Sequence, residues 1–376
     1  LRVWNLSLLV STFSLTILGT FLTRSGVLNS VHAFSESGIG AWFLAMFAVV
    51  LVVSVGLIGW RGDKLRSPGV IDSPLSREAA FLANNVLFAI FAFVVLLGTV
   101  FPLIIEALQD RQIAVGAPFF DKLSMPIGLA LLTLMAIAPV LPWRKASTET
   151  LRDRLFWPAW CGVAALVASL LLGSYGVAPL LTFTLGGVAS GAALRQVVLA
   201  TRRQGLRGLV GRANGGMIVH LGVILIAVSL GASNSFSKSQ ELSLVTNVEA
   251  QFSGHTFELR DVVEVRDDRS ISVKALVLVD GKKIYAPAIT KYTRIGMNVG
   301  TPSVRTSLTN DIYLTLEPPV RQDSNEARIK VFIKPMIMWL WIGTALMAIG
   351  TVLAAFPGRR RKPTEPTSAP VEVAKS

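Results

Sequence analysis

The sequence predicts a mainly α, polytopic membrane helix bundle of about eight transmembrane helices, interrupted before the last of them by a small all-β domain. Three observations predict it. Of the 376 residues, 52% are hydrophobic and only 16% are charged, too apolar for a water-soluble chain. Eight apolar runs reach or approach the roughly 20 residues that a spanning helix needs. Between the seventh run and the eighth, a stretch of about 100 residues alternates in the manner of β-strands.

The runs cover 4 to 22, 39 to 60, 79 to 105, 125 to 142, 156 to 173, 178 to 199, 214 to 232 and 335 to 356. The expected plan is therefore a seven-helix membrane bundle over 1–232, a β domain over 233–334, an eighth helix over 335–356 and a tail over 357–376. The tail is rich in Pro, Thr and basic residues, a composition that predicts disorder. Leu1 follows no initiator Met or basic n-region, so the opening run reads as a span of a longer protein and not as a signal peptide.

An even number of spans puts both ends on one side. Arg61, Lys64, Arg66 and Arg77 lie in the second connection, Arg144, Lys145, Arg152 and Arg154 in the fourth, and Arg202, Arg203, Arg207 and Arg212 in the sixth. Arg359, Arg360, Arg361 and Lys362 follow the last run, whereas the first, third and fifth connections hold only Arg24, Arg111 and Lys122. The positive-inside rule then puts both termini in the cytoplasm and the β domain on the outer side of the membrane. The net charge of +13 is explained this way without nucleic acid as a partner.

The β region breaks into runs over Glu241–Val245, Thr256–Val265, Ser270–Val279, Lys282–Tyr292, Asp311–Glu317 and Arg328–Ile333. Asp280-Gly281 between two of them is a hairpin-turn signal, and a small antiparallel sandwich or barrel is expected.

Cys161 is the only cysteine, so the chain has no disulfide framework, thiolate metal site or covalent heme attachment sequence of its own. The histidines carry the candidate chemistry. His220 lies inside the seventh span, six residues from its end and so about 9 Å deep. An ionisable side chain at that depth marks a candidate site. Gly216, one turn earlier on the same face, leaves room for a flat macrocycle whose iron an imidazole can ligate. The alternative is a histidine hydrogen-bonded to a neighbouring helix. His32 falls in the first external connection, where Val27, Val31 and Phe34 share one helical face and Ser25, Asn29, His32 and Glu36 the other. That pattern predicts a surface helix over 25–36 with His32 facing water, either as ligand of an externally presented heme or as a solvated imidazole.

With a hydrocarbon core about 30 Å thick between them, the two imidazoles cannot share one iron, so two separate heme sites follow if both are ligands. Arg24 is placed to pair with a heme propionate or with a lipid phosphate. His255, at a turn between strands, is assigned no role. No catalytic triad, paired-carboxylate site or nucleotide loop is present, and no catalytic residue is identified.

Several ordered segments resemble the heme lyase subunit of cytochrome c maturation, the CcmF family, and its nitrite-reductase relatives. Trp4-Asn5, then Leu18-Gly19-Thr20-Phe21-Leu22-Thr23-Arg24-Ser25-Gly26-Val27-Leu28 through Ser30-Val31-His32-Ala33-Phe34, is similar to the family's external-histidine signature. Ser76-Arg77-Glu78 with Phe81-Leu82, Asn84-Asn85 and Gly98-Thr99, then Val115-Gly116-Ala117-Pro118-Phe119-Phe120, Gly215-Gly216-Met217-Ile218-Val219-His220-Leu221 and Asp311-Ile312-Tyr313, resemble further family blocks. The resemblance implies a protein that takes heme from a periplasmic heme chaperone and joins its vinyl groups to apocytochrome c. It also implies a membrane heme b that keeps the incoming iron reduced, with His32 as an external axial ligand and His220 as a ligand of the buried heme. Implied partners are apocytochrome c, its thiol-handling maturation subunits and a quinol as candidate reductant. The family's Trp-rich loop and its remaining histidine ligands belong to an N-terminal half that lies upstream of Leu1, and Asp121 stands where the family often has Asn.

A heme or small-molecule transporter and a membrane scaffold for cytochrome assembly are the competing classes. No convincing internal repeat supports a transporter, and a scaffold would carry no chromophore.

Overall fold

The structure, a computed structural model, describes residues 2–25, 38–65, 73–142, 147–293, 298–319 and 325–356. Its helices are α1 (Arg2–Arg24), α2 (Ile39–Trp60), the short α3 (Gly62–Leu65), α4 (Arg77–Gln109), α5 (Ala117–Ile137), α6 (Thr148–Leu171), α7 (Val177–Gln204), α8 (Arg212–Phe236) and α9 (Ile337–Ala355). Eight of them are long and apolar enough to cross a membrane among the described residues, and they correspond one for one to the expected spans. The surface helix expected over 25–36 and the tail over 357–376 lie outside the described residues, apart from Ser25.

Helix ends depart from the apolar runs in both directions: backbone hydrogen bonding continues past the apolar stretch in α4, at the start of α5 and in α8, whereas α5 stops at Ile137, short of its run's end at 142. α4 passes through Pro102 and ends at Gln109, and α5 starts at Ala117 with Pro126 inside it. α8 likewise continues to Phe236, so the first strand opens at Lys238.

The chain divides into two compact units, one of residues 1–74 with 85–126 and one of 75–84 with 127–376. In the first, the start of α2 sits against the end of α1, where a Cβ on Gly40 would stand 2.7 Å from the Cβ of Ser25. Gly98 of α4 makes room for Phe120 of α5, whose ring would lie 2.5 Å from a Cβ there. The Gly98-Thr99 and Ala117-Pro118-Phe119-Phe120 segments, far apart in sequence, are thus packing partners.

In the second unit α6, α7, α8 and α9 pack in chain order. Small residues set the spacing, as expected where lipid offers no hydrophobic drive between helices. A Cβ on Gly187 would stand 2.7 Å from that of Ala165, and one on Gly186 2.6 Å from Val228 Cγ2. Leu132, Ala136, Ala189 and Ile224 form the buried centre.

The β region of the same unit contains β1 (Lys238–Val245), β2 (Glu249–Phe252), β3 (His255–Asp267), β4 (Ser270–Val279), β5 (Lys283–Tyr285), β6 (Ala288–Tyr292), β7 (Asn298–Thr301), β8 (Ser303–Arg305), β9 (Asn310–Leu316) and β10 (Glu326–Pro335). One sheet has the order β1-β10-β9-β8 and the other β2-β3-β4-β6-β7, with β5 paired to β4. All named strand pairs are antiparallel. Alternate residues of both sheets, among them Leu244, Ile312, Leu314, Ile329 and Val331 from one and Phe257, Leu259, Ala275 and Val277 from the other, share one core, which makes the region a sandwich.

The expected hairpin forms. Asp280 and Gly281 both take positive φ, 51° and 62°, and Lys282 N–H donates to Val279 O at 3.1 Å. The expected run Lys282–Tyr292 is two strands, broken around Pro287, which has no N–H to give to a ladder.

Candidate functional site

His220 is carried by α8, and the surrounding backbone explains its setting. α5 ends at Ile137, which leaves the following carbonyls without helical partners. Arginines take them: Arg77 Nη2 donates to Pro139 O at 3.0 Å and Arg154 Nη1 to Val140 O at 3.1 Å. Arg77 N–H also donates to Pro142 O at 3.1 Å, and Ser76 Oγ accepts from Ala79 N–H at 3.2 Å at the start of α4. On the other side, Asn214 Nδ2 donates to Gly208 O and closes the turn that leads into α8.

Between these elements lies a half-open cavity of about 230 Å³, lined by Arg77, Phe81, Ala138, Pro139, Gln196, Asn214, Met217 and His220. His220 Nδ1 is buried there and has no hydrogen-bond partner. A Cβ added to Gly216, one turn before it, would meet nothing within 4 Å. The alternative of a histidine tied through this nitrogen to a neighbouring helix is therefore not what the structure shows. The partnerless nitrogen and the unfilled position at Gly216 fit a ligand bound on this face of α8.

Of the other residues singled out from sequence, Arg24 is exposed in the last turn of α1, and His32 lies outside the described residues. Sequence reading missed Arg77, Gln196, Asn214 and Met217 as cavity residues. Arg77, Asn214 and Met217 lie in or beside segments already marked by resemblance, whereas nothing distinguished Gln196.

His255, to which sequence reading assigns no role, belongs to a polar cluster. Its Nδ1 is 3.0 Å from Asp280 Oδ2, and Asp280 also accepts from Arg305 and, at 3.1 Å, from Thr256 N–H. Partial burial pushes the Asp280 carboxyl up, but the hydrogen bonds from Arg305, His255 and Thr256 outweigh it and hold the group at about 2. Arg305 belongs to β8 of one sheet and His255 to β3 of the other, so the cluster pins the two sheets together.

Fold and cavity define a multi-pass membrane protein with an inserted β-sandwich and a half-buried histidine that lines a cavity between spanning helices. The chain is 30% identical over 371 residues to the cytochrome c-type biogenesis protein CcmF of Pseudomonas aeruginosa and 31% identical over 376 residues to that of Escherichia coli. These matches cover 96% and 97% of this chain, and 56% and 57% of the respective relatives. A solved structure titled cytochrome c heme lyase CcmF superposes with a TM-score of 0.71 at 27% identity, over 94% of this chain and 55% of that one. The chain belongs to the CcmF family and spans about half the length of the curated relatives it matches. No family model matches it.

Proposed function

We propose that this chain is the heme-binding membrane part of a cytochrome c heme lyase, with His220 as an axial ligand of a membrane heme b. The observation that carries the reading is the partnerless buried Nδ1 of His220 next to the open face at Gly216. A buried polar atom left unpaired costs about 1–3 kcal/mol, which a ligand bound at the ring can offset. A heme held there would supply one-electron chemistry. His220 would hold its iron, Gly216 would leave the macrocycle its space, and Arg77, Gln196 and Asn214 would give the cavity its polar side.

The remaining parts of the reading rest on the family resemblance and on charge placement. His32 serves as an axial ligand of a second, external heme delivered by a periplasmic heme chaperone, and Arg24 pairs with its propionate. Apocytochrome c and its thiol-handling subunits meet that heme, a region carrying the Trp-rich loop and further histidines completes both sites, and a quinol supplies electrons. The chain works by presentation and by the redox state of the iron, not by acid or base residues. Arg61, Lys64, Arg152, Arg154, Arg202 and Arg203 support a cytoplasmic side opposite the β-sandwich, which puts the sandwich in the periplasm of an inner-membrane protein.

Separate substitutions test the assignment. His220→Ala is expected to remove the b-type spectrum of the purified protein, and His32→Ala to keep it while stopping cytochrome c maturation. Retention of both spectrum and maturation in the two variants overturns the reading.

A further inference from the structure

A second cavity lies among the spanning helices and has no part in the heme reading. Its volume is about 490 Å³, and its walls include Ala168 of α6, Phe183 and Gly186 of α7, and Val228 of α8. Small side chains at Ala165, Ala168 and Ala232 line the space, while the rings of Phe183 and Phe236 stack with centroids 6.4 Å apart at 26°. No charged side chain lines it. Its polar side chains are Ser169 and Ser190, and Ser169 Oγ already donates to Leu166 O at 2.8 Å.

Such a wall offers an ion, a peptide or a carboxylate nothing to pair with. It offers a hydrocarbon chain close dispersion contacts along its length. The position is equally informative. Phe236 is the last residue of α8, and Pro335 and Met336 join β10 to α9, so the cavity reaches the membrane surface that carries the β-sandwich. Lys238, exposed, follows Phe236 by two residues, which sets one cationic residue at that rim, whereas the Lys334 ammonium lies over the rings of Tyr313 and Phe332, 5.7 Å from each centroid.

We propose that this cavity holds one acyl chain of a membrane phospholipid whose phosphate is met by Lys238 at the rim. The aliphatic tail fits the apolar wall, and Lys238 complements an anionic headgroup at the depth where headgroups lie.

The test uses protein reconstituted in bilayer discs of equal phosphatidylglycerol and phosphatidylcholine, then moved into detergent and weighed intact by native mass spectrometry. One phospholipid is expected to stay with each chain, phosphatidylglycerol in preference to phosphatidylcholine. Ala168→Phe fills the space and is expected to abolish that retention. Leu171→Phe, at a residue 83% exposed and outside the lining, is expected to keep it. Lys238→Glu should remove the headgroup preference. If Ala168→Phe lowers the unfolding temperature, Ser190→Leu is the second filling variant and must lose the lipid with the fold intact. Equal retention in the filled variants, no retained lipid in the parent, or a retained isoprenoid in place of a phospholipid overturns the proposal.

Discussion

Gly222 of α8 and Gly343 of α9 meet backbone to backbone: a Cβ on Gly222 would stand 2.6 Å from the carbonyl oxygen of Gly343, and one on Gly343 2.8 Å from that of Gly222. Seven residues away on each helix the contact repeats, since a Cβ on Gly350 would stand 2.8 Å from Gly215 O. His220 lies between these two contacts along α8, so the same packing that joins the helices fixes the direction of its imidazole.

Gly222→Leu is therefore expected to destabilise the protein by roughly 1–3 kcal/mol, the usual cost of overpacking a tight contact. Thermal unfolding in detergent measures it. An unchanged midpoint would show that α9 does not hold α8 as described.

Gly216→Leu makes the opposite case on the same helix. The added side chain meets no neighbour within 4 Å of its Cβ, and Leu is a better helix former than Gly by about 1 kcal/mol. The expected result is an unfolding midpoint equal to or above that of the parent when both are compared heme-free, with heme content lowered because the open face is filled. Full heme content in this variant would separate Gly216 from the ligand site.

The Asp280 cluster makes the β-sandwich sensitive to acid. Its carboxyl is held at about 2 in the folded protein against an ordinary value of 3.8, so its contribution is complete above about pH 4 and is lost as pH falls towards 2. Asp280→Asn keeps a residue suited to the positive φ of the turn but removes the charge that Arg305 and His255 face. Unfolding of the β-sandwich followed from pH 6 to about pH 2 should fall less steeply through that window in the variant. Parallel curves would assign the acid sensitivity to other carboxylates.

Trp339 Nε1 in the first turn of α9 donates to Leu308 O at 2.9 Å and ties the last helix to the segment before β9. Trp339→Phe should cost about 0.5–1.5 kcal/mol through that lost bond. Denaturant unfolding of the two proteins compares them, and a difference near zero would place the bond outside the stability of the junction.

The spans were legible because a membrane helix is declared by composition, and the residue after a strand-ending Val, Asp280, declared its hairpin through the Asp-Gly pair. Helix ends were less legible, since the apolar run measures the bilayer while the backbone bonds of α4 run on past it and α5 both starts before its run and stops short of the run's end. Strands β2, β7 and β8 escaped notice because runs of three or four residues carry too little alternation to stand out. His220 and Gly216 could be singled out from their spacing alone. Their cavity could not, because Arg77, Gln196 and Asn214 reach it from α4, α7 and α8, and only packing brings those helices together. The seven-residue glycine spacing of α8 and α9 was visible in principle, but its meaning depends on the two helices being neighbours.

The most direct measurement is the heme content of purified His220→Gly protein, read from its reduced-minus-oxidised absorption spectrum with and without added imidazole. Loss of the b-type bands with the fold intact, and their return when imidazole occupies the vacated space, is the expected result. A His220→Gly protein that keeps its full complement of b-type heme without imidazole would contradict the assignment of His220 as an iron ligand.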